Sequence, residues 1–290
     1  MDGKQRERLE EALTYDAQLI AGRKTLIDAV VALRTQKESL VLVGAQAIYL
    51  YTGASDVAVA TTTKDSDIAV VPELLLGAPK LEDATGGAGF ELNRRGLQGQ
   101  WLSPEGVQVD LLVAEGDREP GSGQAPRGAR IPPHSKTVAR NVRGIEGAAI
   151  DKRPMSIPAL DPADQRTIQM NVAGPSALVV AKTWKICERI EHAERGGRDR
   201  TNDKDAHDLY RLLRGVAISE FVDGFDLLLA SEPSRETTEW AISALRQHGA
   251  GPDAPVCIQA GRNEEFVGEP DLVAESTAAL VAELLERIDR

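Results

Sequence analysis

Apolar side chains recur every three or four residues along the first part of the chain. This spacing is typical of helices that bury one face, so we expect one or two amphipathic helices over residues 4–34. The apolar positions on that face are Leu9, Leu13, Leu19, Ile20, Leu26, Ile27, Val30, Val31 and Leu33.

Short apolar runs further along the chain predict strands. Residues 40–43 are apolar throughout and stop at Gly44, which indicates a buried strand. Residues 45–50 then have helical spacing, and Gly53 is placed to end that helix. The other predicted strands are residues 68–71, residues 107–113 and, at a sheet edge because of Pro158, residues 156–160.

The pattern becomes helical from Gly174 onward. Pro175 suits the first turn of a helix that runs to about residue 195. Asn202 or Asp203 can cap the next helix, which extends through Leu213. Three more helices are predicted over residues 218–229, 236–247 and 272–288.

These elements suggest two domains. Residues 114–133 are rich in Gly, Pro and charge, which predicts a mobile loop or a linker. We expect an α/β (α+β) core with a mixed sheet over residues 1–160, followed by a helical C-terminal domain over residues 161–290.

Composition limits the function without deciding it. The 290 residues are 42% hydrophobic and 27% charged, which is ordinary for a globular enzyme. No apolar run approaches the roughly 20 residues of a membrane helix, so we expect no membrane partner. Cys187 and Cys257 lie far apart and the N-terminus is charged, which favours reduced thiols in a cytoplasmic protein.

The net charge of −11 is unevenly distributed along the chain. Residues 216–290 contain 15 Asp and Glu against 5 Lys and Arg, whereas residues 118–153 contain 8 Lys and Arg against 3 Asp and Glu. A basic stripe at helical spacing follows at Lys182, Lys185 and Arg189. These basic groups could hold phosphates, and a solvated surface explains them equally well.

Several common enzyme classes have no support in the sequence. The four histidines lack metal-ligand spacing, which argues against a zinc site. A P-loop and a Gly-x-Ser-x-Gly elbow are both missing, which argues against P-loop NTPases and α/β-hydrolases.

A pair of aspartates at the start of a predicted strand is the strongest candidate for chemistry. In a strand, residues i and i+2 point to the same side, so the carboxylates of Asp65 and Asp67 project together. Their charges repel unless a proton or cation lies between them, and Mg²⁺ prefers one or two carboxylates plus substrate phosphates. An Asp-x-Asp motif alone more often forms a turn or a helix cap.

Two further residues favour the metal site. Asp110 is the acidic residue of the apolar strand at residues 107–113, where burial without a partner would be costly. A neighbouring strand would bring it beside the aspartate pair. Gly44 ends a strand and opens a helix, so backbone N–H groups can approach a triphosphate there. Carboxylates, a metal ion and a phosphate cradle are the parts that in-line phosphoryl chemistry requires.

The order of these parts resembles the nucleotidyltransferase superfamily related to DNA polymerase β. The resemblance covers roughly residues 40–113: a strand, Gly44-Ala45, a helix, Asp65-Ser66-Asp67, a strand and Asp110. It implies a nucleotidyltransferase core in which Gly44 and Ala45 bind the nucleotide phosphates. It also implies that Asp65, Asp67 and Asp110 bind Mg²⁺ or Mn²⁺, with Asp110 as metal ligand or general base.

A second region resembles the C-terminal motifs of AbiEii-type nucleotidyltransferase toxins. Residues 178–185 read Leu-Val-Val-Ala-Lys-Thr-Trp-Lys, and residues 202–209 read Asn-Asp-Lys-Asp-Ala-His-Asp-Leu. The resemblance implies that Lys182 reaches the nucleotide phosphates. Asp205 would then orient that lysine or polarise the nucleophile, and Asp208 would support Lys182 or cap its helix.

The chain departs from the family pattern in two ways. Ala45 stands where the family usually has Gly or Ser, so a hydroxyl contact to phosphate is missing. The gap from Gly44 to Asp65 is also longer than usual, with residues 55–63 as an inserted loop. Lys64 is a further candidate nucleotide ligand, although it could equally well screen the carboxylates.

The expected reaction transfers a nucleoside monophosphate from an NTP to an acceptor hydroxyl, and pyrophosphate leaves. Asp110 and Asp205 are the candidate bases, with Asp110 preferred. The resemblance implies tRNA as acceptor, with residues 118–153 facing it, and a cognate antitoxin in a toxin–antitoxin or phage-defence system. Two alternatives stay open: a non-catalytic module that binds a nucleotide or a partner, and a small-molecule nucleotidyltransferase of the antibiotic-modifying kind.

Overall fold

The structure is a computed structural model that describes most of the chain. The described residues are 3–53, 65–115, 127–198, 201–264 and 268–289, with the backbone alone described for 3–16. The loop predicted at residues 55–63, Lys64 and part of the predicted linker lie outside these ranges.

The described residues form one mixed sheet and several C-terminal helices, which confirms the predicted α/β class with a mixed sheet. Eight strands are present in this part of the chain. They are β1 (Leu40–Val43), β2 (Ser66–Val70), β3 (Glu91–Leu92), β4 (Gln100–Leu102), β5 (Gln108–Ala114), β6 (Arg140–Val142), β7 (Lys152–Pro158) and β8 (Thr167–Ala173).

The sheet has the strand order β3-β4-β5-β2-β1-β8-β7, and β6 also pairs with β5. Strand β1 is fully buried and lies between antiparallel β2 and parallel β8. Strand β5 is parallel to β2 on one side, and β4 and β6 share its other side. The ends of β1 and β8 and the starts of β2 and β5 therefore meet at one edge of the sheet.

Nine helices are described. They are α1 (Gly3–Ala32), α2 (Gly44–Thr52), α3 (Leu81–Gly87), α4 (Pro175–Glu194), α5 (Asp203–Gly215), α6 (Ile218–Ala230), α7 (Glu232–His248), α8 (Pro255–Arg262) and α9 (Pro270–Ile288). Local signals position several ends: Gly53 at φ 51° closes α2, Pro175 opens α4, and the Asn202 side chain accepts a hydrogen bond from the Lys204 N–H to cap α5.

The last two strands differ from the prediction. Strand β7 begins at Lys152 rather than residue 156, and it occupies the sheet edge, which accommodates Pro154 and Pro158. Strand β8 was not predicted, although Ile168, Met170 and Val172 alternate with polar residues, which is a signal of a half-buried strand. It pairs with the central strand β1, so the sheet continues past residue 160, where the domain boundary was predicted.

The topology brings two helices to the same edge of the sheet. Helix α2 follows β1 directly, and α4 follows β8, its parallel neighbour. Helix α4 then packs against α5, α6 and α7, and α5 packs against α2. One hydrophobic core contains side chains from the sheet and from these helices. Among the described residues, we find no helix both long and apolar enough to cross a membrane.

Candidate functional site

Two of the predicted carboxylates are direct neighbours in the sheet. Asp67 on β2 and Asp110 on β5 are register partners in parallel strands, so their side chains point to the same face about 4.8 Å apart at the backbone. Asp110 is buried and Asp67 is partly buried. Asp65 is also partly buried and precedes β2, two residues from Asp67, on the same side. The structure thus brings the three aspartates to one place.

This proximity alters the acidity of the carboxyl groups. Burial raises the pKa of Asp67 to about 7. The negative charges of Asp110 and Asp65 also raise this pKa, whereas the positive charges of Lys185 and Arg140 lower it. Burial also raises the pKa of Asp110, although Arg140 opposes the change. A bound cation would oppose these increases by favouring the charged carboxylates.

Asp110 has two partners of its own. Arg140 Nη2 donates a hydrogen bond to Asp110 Oδ2 at 2.5 Å, and Gln108 Nε2 donates one to Oδ1 at 2.9 Å. No such partner of the Asp67 carboxylate is found among the described residues. Asp110 is thus held by Arg140, a buried residue of the segment that was predicted to face RNA, residues 118–153.

The donor set fits Mg²⁺ or Mn²⁺. Magnesium uses one or two carboxylates together with substrate phosphates, and Asp65 and Asp67 supply two carboxylates. Asp110 lies beside them, but both of its oxygens already accept hydrogen bonds, from Arg140 and Gln108. Among the described residues, no three His, Cys, Asp or Glu side chains are already placed to hold a metal ion together.

Gly44 lies against the Asp67 side chain. It opens α2 at φ 69°, where an L-side chain would be strained. A Cβ atom built there would lie 2.3 Å from Asp67 Oδ2, so the carboxylate occupies the space that a side chain would take. Glycine is required at this position for both reasons. Ala45, the next residue of α2, is buried.

The second predicted motif forms a buried ion cluster between α4 and α5. Lys182 Nζ donates hydrogen bonds to Asp205 Oδ1 at 2.8 Å and to Asp208 Oδ2 at 2.7 Å. Asp205 also accepts hydrogen bonds from Lys185 at 3.0 Å and from Arg189 at 2.8 Å. The two aspartates lie three residues apart on α5, and the three cations follow one face of α4. The predicted basic stripe is therefore a paired set of charges.

The ion cluster distinguishes the two candidate bases, Asp110 and Asp205, because it changes the pKa of Asp205. Burial alone would raise the pKa of Asp205, but Lys182, Lys185 and Arg189 hold it well below its usual range. Burial would lower the pKa of Lys182, yet Asp205 and Asp208 raise it overall. A carboxylate stabilised in its charged form is a poor proton acceptor near neutral pH. Asp205 therefore suits the other predicted role, that of orienting Lys182.

One cavity of about 300 Å³ joins the two clusters. Its charged wall contains Asp67, Arg140, Arg143, Lys182, Lys185, Glu188 and Arg189. Its remaining wall is formed by Gly44 and by apolar side chains, namely Val43, Leu97, Leu112, Val142, Ile145, Leu178, Ala181 and Trp184. Pockets of this size, apolar with a few convergent polar groups, are typical of small-molecule sites.

Some predicted residues lie behind this cavity rather than in its wall. Asp205 and Asp208 are buried and contact Lys182, and the lining also lacks Ala45, Asp65 and Asp110. Arg140 and Arg143 were predicted to face RNA, but both are buried and line the cavity. A charged residue beside an apolar stretch, as at residues 138–142, is the sequence signal that could have identified Arg140. The exposed residues of the segment include Arg130, and an RNA-facing role for them stays a prediction.

Comparisons of this chain with models of known protein families, with curated proteins and with solved structures found no match.

Proposed function

We propose that the protein is a Mg²⁺- or Mn²⁺-dependent nucleotidyltransferase that transfers NMP from an NTP to an acceptor hydroxyl. One observation supports this most strongly. The lining of a single cavity contains Gly44 and the Asp67 carboxylate together with the cations Lys182, Lys185 and Arg189. A ligand that combines a metal ion with several phosphates carries both charges that these residues complement.

The proposal gives the aspartates and the cations of the lining separate tasks. The aspartates would hold the metal ion, which would neutralise phosphate charge when bound. Lys185 and Arg189 would contact the phosphates, and the buried Lys182, which also lines the cavity, shares Asp205 with them. The apolar wall accepts the nucleoside. The acceptor hydroxyl attacks the α-phosphorus and pyrophosphate leaves, with Asp110 as the preferred base.

The acceptor is open to experiment. A tRNA acceptor and a cognate antitoxin rest on the resemblance to AbiEii-type toxins alone. A small molecule is the alternative acceptor, and a cavity of about 300 Å³ limits how much of any substrate is enclosed. Exposed basic residues such as Arg127 and Arg130 would contact RNA outside it.

A second candidate function is nucleotide binding without catalysis. The Asp110–Arg140 ion pair favours it, because an arginine already supplies the positive charge that a metal ion would supply. In that case NTP would bind tightly and no phosphoryl transfer would follow.

The test is incubation with each α-³²P-labelled NTP, Mg²⁺ or Mn²⁺, and either total RNA or a set of hydroxyl-bearing small molecules. Label in RNA supports the tRNA acceptor, and label in a small molecule supports the antibiotic-modifying type. NTP binding without label supports the non-catalytic module. A protein that neither labels an acceptor nor binds any NTP contradicts the proposal.

Matched variants connect the result to the site. Asp67→Asn removes a metal ligand with little change in volume, and it should abolish labelling while circular dichroism stays unchanged. Asp253→Asn makes the same chemical change at an exposed position outside the cavity and should label normally. Full activity in Asp67→Asn would show that the site is wrongly assigned.

A further inference from the structure

Arg140 occupies an unusual position between the carboxylates and the cavity. It begins β6, beside β5, and its side chain is about nine-tenths buried. One nitrogen, Nη2, holds Asp110 at 2.5 Å. The residue also lines the cavity that contains Asp67. It therefore contacts a candidate metal ligand and the candidate substrate space at once.

The other end of its guanidinium group is unsatisfied. Arg140 Nη1 is buried and has no hydrogen-bond partner among the described residues. A buried N–H group without a partner is destabilising, and more so when the group is charged. Arginine is also suited to phosphate, because its planar fork can donate two parallel hydrogen bonds. The group thus retains donors for an anion that enters the cavity.

We propose that Arg140 is a positioning residue that exchanges Asp110 for the substrate phosphates. Without substrate it neutralises Asp110. When an NTP enters, the guanidinium turns to the phosphates, and Asp110 becomes available to the metal ion beside Asp67. This inference rests on the proposed function, since it assumes that the cavity binds a nucleoside triphosphate and a divalent cation.

The exchange is physically reasonable because neither charge is left alone. Breaking a buried ion pair is costly when one partner stays uncompensated. Here the arginine gains phosphate oxygens and the aspartate gains a divalent cation. Because linkage is reciprocal, each ligand would strengthen the binding of the other. The metal site would be complete only when substrate is present.

The test measures each ligand separately. Mn²⁺ binding without nucleotide is followed by the electron paramagnetic resonance signal of free Mn²⁺, and NTP binding in EDTA by equilibrium dialysis. Arg140→Gln should bind Mn²⁺ about tenfold more tightly and NTP about tenfold more weakly than the wild type. Asp110→Asn should do the opposite for NTP, because it releases Arg140, and it supplies the test if Arg140→Gln does not fold.

Two controls separate exchange from simple electrostatics. Lys185→Gln also removes a positive charge near Asp67 but does not touch Asp110, so its gain in Mn²⁺ affinity should be smaller. Adding Asp110→Asn to Arg140→Gln should abolish the gain. Equal gains in Arg140→Gln and Lys185→Gln, or a gain that survives without Asp110, would overturn the exchange.

The two proposals fail in different ways. If the wild type binds no NTP and Mn²⁺ binding does not depend on Asp67, the nucleotidyltransferase proposal fails. If NTP binds and Mn²⁺ binding depends on Asp67, but Arg140→Gln leaves both affinities unchanged, only the exchange fails.

Discussion

Glu146 offers a direct test of the electrostatics beside the cavity. It follows β6, is 6% exposed, and accepts a hydrogen bond from the Gly144 N–H at Oε2, 2.7 Å away. Its other oxygen, Oε1, is buried without a hydrogen-bond partner among the described residues. Burial raises the pKa of Glu146 from 4.5 to about 7, with Arg143 opposing and Glu236 adding to the increase.

The sign and size of the effect follow from linkage. The folded state binds the Glu146 proton more tightly than the unfolded state, so this contribution to stability is complete below about pH 4.5. It is lost as pH rises towards about 7. Because one pKa unit corresponds to about 1.36 kcal/mol, the full loss is about 3 kcal/mol. Because a glutamine side chain cannot ionise, Glu146→Gln should not lose this contribution as pH rises.

The assay is urea unfolding of the wild type and Glu146→Gln at several values between about pH 5 and pH 8. The difference between the two proteins isolates Glu146, since Asp67 and Asp151 titrate in both. Between about pH 5 and pH 8, the free energy of unfolding of Glu146→Gln should rise by about 2–3 kcal/mol relative to that of the wild type. A difference that is constant with pH would refute the reasoning, and so would one that falls.

Three further predictions concern glycine, lysine and a helix cap. Gly44→Ala should destabilise the protein by about 1–3 kcal/mol and abolish labelling, because the added Cβ atom would overlap the Asp67 carboxylate. A variant that unfolds in urea and labels its acceptor as the wild type does would contradict this. Lys182→Met should lower the free energy of unfolding by about 3 kcal/mol or more, whereas Lys185→Met, at a side chain 49% exposed, should cost under about 1 kcal/mol. Equal losses for the two lysines would be incompatible with a buried cluster. Asn202→Ala should cost about 1 kcal/mol in a thermal or urea melt, and Asn202→Asp should restore it.

The elements that the sequence predicted well are those with strong local signals. The helix ends at Gly53, Pro175 and Asn202 depend on backbone conformation and caps that involve only a few neighbouring residues. Strand β1 is apolar over its full length because both of its faces are covered. Such signals do not depend on the rest of the fold.

The elements that were missed obtain their stability from distant partners. Strands β3, β4 and β6 have two or three residues each, too few to show a period. Strand β8 lies inside the sheet because it pairs with β1 on one side and β7 on the other, and nothing within its own residues indicates those neighbours. Helix α8 has only eight residues and obtains its packing from α5 and α9.

The same distinction applies to the candidate site. Asp65 and Asp67 were found because a strand places them on one side whatever surrounds it. That Asp110 lies beside Asp67 depends on parallel pairing of β2 with β5, across the β3–β4 excursion. The contact between Arg140 and Asp110 depends on a third strand, β6, which pairs with β5. The basic composition of residues 118–153 does not indicate this contact.

The distribution of charge around the cavity argues for a ligand rather than for a stabilising network. Lys182 cannot neutralise Asp67, because its ammonium group is held by Asp205 and Asp208. Arg140 is committed to Asp110, and one of its nitrogens is still unsatisfied. Side chains arranged for stability alone would also give partners to the Asp67 carboxylate and to Arg140 Nη1, since unpaired buried polar groups are costly. A metal–triphosphate complex contains a cation for the aspartates and anions for the arginine and lysines, and it would satisfy both sets together.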